Sequence, residues 1–371
     1  MNHKSTYLFI GTTAELIKLI PLIRELNIRK IPFQIIASGQ NDIQFDEFKA
    51  DLKQITIRRA VTPKGNKSSI ILFVIWSLRT FFALLKGMQN DFRGLNKTNS
   101  LFIVHGDTVS SLMGSLVATV YRLKLVHIES GLRSFNFMEP FPEEICRYII
   151  SRLADIHFCP NEWSINNLSH VKGEKVNTYQ NTLIESFWRA MKEKGRNKFV
   201  QKMLSGNKKF FVLVIHRQEH VLFNKEQSKK TMKLILNNSP KTLQCLFLIH
   251  DISTNLVRSL TYLIPKDVAD NIVKVKRLPY SDFMHLLLGA EFIITDGGSN
   301  QEEMYYMGKP CLLLRNHTER IEGLRKNILL SRNKEQNIIR FMKNYERYRS
   351  NFVRIDKRPS KIIVDYLYPE L

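Results

Sequence analysis

Residues 100–168 read SLFIVHGDTVSSLMGSLVATVYRLKLVHIESGLRSFNFMEPFPEEICRYIISRLADIHFCPNEWSINNL. An apolar run, Leu101–Val104, stops at His105-Gly106-Asp107-Thr108, and an apolar pattern at helical spacing begins at once. A second run, Leu125–Ile128, stops at Glu129-Ser130-Gly131-Leu132-Arg133. Short apolar strands that each feed a helix are the units of a parallel sheet covered by helices. Asp107 and Glu129 therefore stand just beyond two strand ends, where open parallel sheets take their ligands. A loop then delivers Pro142-Glu143-Glu144 and Arg147. One such acid alone is an ordinary cap or surface residue. Several on loops from one sheet edge, with an arginine, favour acid–base work on an anionic substrate.

The same alternation extends to both sides. Tyr7–Ile10 is strand-like, ends in Gly11-Thr12-Thr13, and is followed by apolar residues at helical spacing over Leu16–Leu26. Phe33–Ala37 is a second strand, ending in Ser38-Gly39-Gln40-Asn41, and Ile156–Cys159 is another. A polar region, Val171–Asn181, and a helical segment near Glu185–Lys194 lead to a solvated connection, Lys192–Lys198. Strands are then expected at Phe210–Ile215, Leu246–Ile249, Ile272–Lys276 and Phe292–Thr295, with Cys311–Leu314 as the last. The expected fold is α/β: two doubly wound Rossmann-like domains facing across a cleft at their strand ends. Their expected bounds are 1–180 for the domain carrying the acids and 181–345 for the second. Residues 346–371 are expected to pack back on the first.

A chain of 371 residues is long enough for two domains with separate cores. Apolar content of 44% and charged content of 24% are ordinary for a globular protein. The balance of 56 basic against 34 acidic residues, net +22, is not. It suits an anionic partner or, more plainly, a lysine-rich solvated surface. No helix-turn-helix, zinc-finger or aromatic RNA-binding pattern is present, so nucleic acid is not expected as the partner. Cys146, Cys159, Cys245 and Cys311 form no CxxC pair, which argues against zinc and for free, mostly buried thiols in a reducing cytoplasm. The apolar part of MNHKSTYLFIGTT is too short for a signal peptide.

Residues 69–88 read SIILFVIWSLRTFFALLKGM, with Lys64 and Lys67 before and Lys86, Arg93 and Lys97 around the end. A membrane span needs roughly 20 predominantly apolar residues, and Arg79 interrupts this one. A helix buried in the first domain, a helix lying at an anionic membrane surface, and a true span all remain open.

Thr295–Pro310, TDGGSNQEEMYYMGKP, joins a strand to a helix through a Gly-Gly-Ser turn. Backbone N–H groups at such a helix start hold phosphate, and an acid one turn in accepts from ribose hydroxyls; caps at Ser299 and Asn300 are the plain alternative. Gly11–Glu15, followed by Lys18, is a similar turn but neither GxGxxG nor a P-loop, so no dinucleotide is inferred. His216 and Arg217 follow one strand and His250 the next, where a cation pair can meet a diphosphate and a lone histidine can equally be structural. No metal-ligand spacing accompanies them.

Taken together, GTTAELIK, HGDT, HIESGLR, PEEICR, IHRQEH, TDGGSNQEE and TERIE occur in order. They resemble the motifs GTRPEAIK, QGDT, HxEAGLR, PEExNR, GHRREN, TDSGGxQEE and TERPE of the non-hydrolysing UDP-N-acetylglucosamine 2-epimerases. The resemblance runs over most of the chain, from Gly11 to about Gly323. It implies a GT-B fold with UDP held mostly by the second domain. It also implies interconversion of UDP-GlcNAc and UDP-ManNAc, supplying precursors of bacterial surface polysaccharide. In that reaction a base removes the C2 proton, UDP leaves by anti elimination, and UDP adds back to bound 2-acetamidoglucal. No redox cofactor and no metal are implied. Asp107, Glu129 and Glu143 would be the acid–base residues, with His216 near the diphosphate. Lys18, Arg147, Arg217, His250 and Arg320 would contact the nucleotide-sugar, Phe283 would pack near uracil, and Gly298, Ser299 and Glu303 would hold phosphate and ribose. A cytoplasmic homodimer is expected, and the apolar, basic-flanked 69–88 segment, on its own composition, keeps a peripheral contact to anionic membrane open.

The chain departs from the pattern in places. Thr13 replaces the arginine of GTRPE, and Gly297 replaces the serine of TDSGG, with a hydroxyl reappearing at Ser299. Asn41 replaces the histidine of TGQH in a loop that helps form a second, regulatory UDP-GlcNAc site in bacterial members, which argues against that regulation. With the apolar 69–88 segment, these changes keep two other readings open: a membrane-associated GT-B glycosyltransferase using a UDP-sugar donor, and a catalytically weak UDP-sugar-binding relative.

Overall fold

The computed structural model describes residues 4–53, 55–59, 70–215, 225–249 and 266–370. The chain divides into two units, Met1–Ser186 with Asp356–Leu371, and Phe187–Ile355.

In the first unit, β1 (Ser5–Ile10) leads into α1 (Thr13–Ile28), then β2 (Gln34–Ala37) and β3 (Thr56–Arg59). Helix α2 (Ile70–Phe92) precedes β4 (Ser100–His105), α3 (Val109–Val120), β5 (Leu125–Ile128) and α4 (Glu143–Leu153). β6 (Ile156–Cys159), α5 (Glu162–Asn166), β7 (Glu174–Asn177) and α6 (Leu183–Lys192) follow, α6 starting in this unit and running into the second. The seven strands are parallel in the order β3-β2-β1-β4-β5-β6-β7. Strand order reverses between β1 and β4, the switch point at which doubly wound sheets bind ligands.

Alternation along β1 builds a core on each face of this sheet. Leu8 and Ile10 pack with Leu16, Leu19 and Ile23 of α1 and with Ile363, Val364 and Leu367 near the C-terminus. Tyr7 and Phe9 face α2, α3 and α4 through Trp76, Leu84, Met88, Phe92, Met113, Val117 and Ile150. Gly114 has no room for a side chain, because a Cβ there would lie 2.6 Å from the Phe9 ring.

Trp76, Leu84, Met88 and Phe92 recur at helical spacing and are buried, so α2 does line the core. The opposite side is different: Leu72, Val74, Ile75, Leu78 and Phe82 are exposed, Phe82 at 64%. One face of this helix therefore lines the core, and the opposite face is exposed. Among the described residues, no helix is long and apolar enough to cross a membrane.

In the second unit, α7 (Lys198–Ser205) precedes β8 (Phe210–Val214), α8 (Lys225–Asn238), β9 (Gln244–Leu248), α9 (Lys266–Asp270) and β10 (Ile272–Val275). Then come α10 (Tyr280–Gly289), β11 (Ile293–Thr295), α11 (Gly298–Met307), β12 (Cys311–Leu313), β13 (Ile328–Leu330) and α12 (Glu335–Asn344). The parallel order is β10-β9-β8-β11-β12-β13, with its switch point between β8 and β11. Phe211 stacks on Phe292 at 4.8 Å between centroids, and Phe341 of α12 meets Phe292 edge-on at 5.5 Å. Ser350 and Val353 still bond to Gly308 and Tyr306. Beyond them the chain returns to the first unit as α13 (Pro359–Leu367), where Arg358 pairs with Glu25 at 3.0 Å and Glu185 at 3.1 Å.

Two expectations need correction. Cys311–Leu314 is not the last strand, since β13 follows it at the sheet edge. The polar region Val171–Asn181 contains β7, an edge strand that pairs with β6 through its backbone and does not need an apolar run. The four cysteines are free and buried.

Candidate functional site

The first unit gathers its charged side chains at its switch point. Thr12 caps α1, accepting from the Glu15 N–H at 3.2 Å, and Glu15 Oε2 accepts from the Gly11 and Thr12 N–H groups at 2.7 and 2.8 Å. This is a capping box. The other oxygen, Oε1, accepts from the Thr108 and Ser111 hydroxyls at 2.7 and 2.8 Å. Glu15 thus ties the turn after β1 to the turn after β4. Burial pushes its carboxyl above the ordinary value, while these four donors pull it down. The turns approach so closely that a Cβ on Gly11 would lie 2.2 Å from Ser110 Oγ.

Asp107, next to Thr108, accepts from Arg147 of α4. Arg147 also donates to Glu144 at 3.0 Å, and Glu144, fully buried, accepts from Arg133 Nε at 2.5 Å and Ser134 N–H at 3.1 Å. Glu144 therefore secures the loop after β5 and fixes Arg147. Glu143, one residue earlier, is half-buried at the start of α4. Burial raises the Cys146 thiol, and the Asp107 and Glu143 charges raise it further, so both carboxylates bear on one point.

Glu129 closes β5 with φ +63°, in the left-handed region that costs a non-glycine residue about 1–3 kcal/mol. Its carboxylate accepts from Lys18 Nζ at 2.7 and 2.9 Å and from the Asn181 amide. His105 Nε2 stands 3.9 Å from Glu129 Oε2. Burial drives His105 down to about 3 and His127 to about 4, so both rings are neutral near pH 7. The structure thus brings together Lys18, Asp107, Glu129, Glu143 and Arg147. It places Lys18 against Glu129 and Arg147 against Asp107. Sequence reasoning passed over Glu15, His105 and Asn181. The Thr12-to-Glu15 capping spacing was the available signal for the first, and no local pattern marks Asn181.

At the second unit's switch point, Gly297 caps α11 and Gly298 opens it. A Cβ on Gly298 would lie 2.7 Å from Glu319 Oε1 and 2.9 Å from Arg320 Nε, so the helix start rests directly on a buried charge network. There Arg320 pairs with Glu302, and Arg315 Nη1 donates to Glu319 Oε2 at 2.7 Å while its Nε donates to the Asp296 carbonyl at 2.7 Å. Ser299 is half-buried on the first turn and Glu303 is buried one turn in. Phe283 is half-buried on α10. Arg320 lies in the network below the turn, and Arg315, fully buried, is a partner that sequence reasoning missed although it opens RNHTERIE. His216, Arg217 and His250 lie outside the described residues, as do Lys64 and Lys67.

Thr13, where the family motif has arginine, accepts from the Gln44 N–H at 3.1 Å and brings no cation. Among the described residues, no cluster of three His, Cys, Asp or Glu side chains is arranged to hold a metal ion.

Residues 27–361 match the family described as UDP-N-acetylglucosamine 2-epimerase. The chain is 30% identical over 353 residues to the UDP-N-acetylglucosamine 2-epimerase of Campylobacter jejuni, covering 91% of this chain and 88% of that one. A structure of Methanocaldococcus jannaschii UDP-GlcNAc 2-epimerase in complex with UDP-GlcNAc and UDP has TM-score 0.80 at 25% identity, covering 98% and 99% of the two chains. A UDP co-structure of S. aureus MnaA has TM-score 0.81 at 25% identity, covering 99% and 98%. The α/β architecture of two doubly wound sheets is that of these structures.

Proposed function

Because the chain belongs to the UDP-N-acetylglucosamine 2-epimerase family, we propose that it interconverts UDP-GlcNAc and UDP-ManNAc by anti elimination and re-addition of UDP. The chemistry falls to the first unit and UDP to the second. The observation that carries the reading is the set of carboxylates Asp107 and Glu129 at the ends of neighbouring strands, each held by a buried cation, Arg147 and Lys18. Glu143 is the third acid of this edge.

A C2 proton beside an acetamido group is only weakly acidic. Departure of UDP must therefore be assisted by fixed positive charge and helix N–H groups, which act without reorganising during the reaction. The first turn of α11 with Gly298 and Ser299 supports that role, and Glu303 supports binding of the ribose. His216 and Arg217 are assigned to the diphosphate on their motif, His250 on its place in sequence after the next strand, and Phe283 is assigned to uracil on the resemblance.

The relatives do not favour the glycosyltransferase or the merely binding relative. The product would feed bacterial surface polysaccharide synthesis from the cytoplasm. The test is incubation with UDP-GlcNAc in deuterated water: UDP-ManNAc should appear with deuterium at C2.

A peripheral contact is also part of this reading. The exposed apolar face of α2 carries exposed Arg79 and Lys86, with Arg93 just beyond the helix. Apolar side chains flanked by cations suit an anionic membrane surface, each cation adding about 1 kcal/mol near it. Sedimentation with anionic and neutral vesicles, alongside light scattering, separates this contact from a homodimer formed on the same face. Binding to anionic vesicles by a monomer supports the membrane; a dimer indifferent to vesicles replaces it.

A further inference from the structure

We propose that Asn300 is a positioning residue that sets the direction of the Glu303 carboxylate, resting on the reading above in which Glu303 receives the ribose. Three hydrogen bonds carry the argument. Thr295, the last residue of β11, accepts from the Gly297 N–H at 3.0 Å and donates its own hydroxyl proton to Asn300 Oδ1 at 3.0 Å. The Asn300 amide then donates from Nδ2 to Glu303 Oε2 at 2.8 Å. A carboxamide has its acceptor on one side and its donors on the other. With the threonine hydroxyl holding the acceptor, the donor side is turned toward Glu303.

Asn300 and Glu303 are three apart on α11 and so share a face of its first turn. Glu303 is 3% exposed, so water does little to set its orientation. The relay therefore links the end of the strand, the glycine turn and the carboxylate in one rigid piece. Such support around a binding group confers selectivity by fixing geometry. The family motif leaves this position open, written x in TDSGGxQEE, so the motif itself gives Asn300 no role. An apolar residue there would remove the donor, and an aspartate would set a second carboxylate against the first.

The experiment titrates UDP and 2′-deoxy-UDP calorimetrically into the full chain, with thermal melts as the folding control. Glu303→Ala is the reference and should weaken UDP by about tenfold to a hundredfold, as loss of a charged hydrogen bond predicts. Asn300→Ala should weaken UDP by about tenfold, weaken 2′-deoxy-UDP less, and add nothing on top of Glu303→Ala. Asn300→Asp keeps the acceptor for Thr295, and like charges favour sharing a proton. Its UDP affinity should therefore recover as pH is lowered, which the alanine variant should not show. If Asn300→Ala does not fold, the aspartate pH profile decides alone. Equal losses for both nucleotides, additivity with Glu303→Ala, or an aspartate variant insensitive to pH would overturn the positioning role. Unchanged UDP affinity in Glu303→Ala would instead overturn the reading of Glu303, and Asn300 with it.

Discussion

Lys18 Nζ lies 2.7 Å from Glu129 Oε2, with the two side chains 8% and 2% exposed. The pair joins the first helix to the end of the fifth strand of one sheet. Removing one partner of a buried pair strands the other charge and costs about 3–5 kcal/mol. Lys18→Met should therefore lower unfolding free energy by about that amount in urea titration. Lys18→Met with Glu129→Leu should recover much of the stability and remain inactive. Full stability in the single variant would mean that the pair is not sealed from water.

Asp107→Asn and Glu143→Gln keep shape and remove proton acceptance. Each should reduce turnover by about 10²–10⁴ while UDP still binds, the usual range for a general acid or base. Near-normal turnover in both would make these carboxylates structural, as Glu144 is through its bonds to Arg133 and Arg147.

Stability should fall on acidification because of His105 and His127. The ordinary value of 6.5 applies to the unfolded chain, against about 3 and about 4 in the folded protein. Between those values the unfolded state binds protons that the folded state excludes. Each histidine therefore lowers stability by up to about 1.4 kcal/mol per pH unit as pH drops below 6.5, and contributes no slope well above it. His105→Gln should flatten the profile of denaturation midpoint against pH over this window. An unchanged profile would show that the ring is solvated.

The two faces of the Ile70–Phe92 helix should separate by mutation. Trp76→Ala should cost about 3–5 kcal/mol, the range for truncating a buried aromatic. Phe82→Ser, on the exposed face, should change stability by no more than about 0.5 kcal/mol and should abolish binding to anionic vesicles. A large stability loss from Phe82→Ser would place that ring in a covered interface.

Much of this was legible because parallel strands buried on both faces are continuous apolar runs. Leu101–Val104 and Leu125–Ile128 announce themselves, and so do the acids that end them. Thr56–Arg59 and Glu174–Asn177 did not, because they lie at the two edges of their sheet and pair by backbone bonds with few apolar side chains. Ile328–Leu330 was hidden because no helix separates it from Cys311–Leu313, so the strand–helix alternation does not announce it. In the site, the spacing of motifs marked Asp107, Glu129 and Glu303. It could not show that Glu15 bridges two turns or that Asn181 reaches Glu129, because both contacts depend on how distant segments meet. The apolar 69–88 segment was ambiguous because one helix serves core and surface at once.

The most direct test follows UDP-GlcNAc by proton NMR with the purified chain in deuterated water. UDP-ManNAc should appear and deuterium should replace the C2 proton in the recovered sugar nucleotides, both slowed about 10²–10⁴-fold by Asp107→Asn. Binding of UDP-GlcNAc with neither epimer nor exchange, even at a concentration high enough to fill a second site, would contradict the proposed epimerisation.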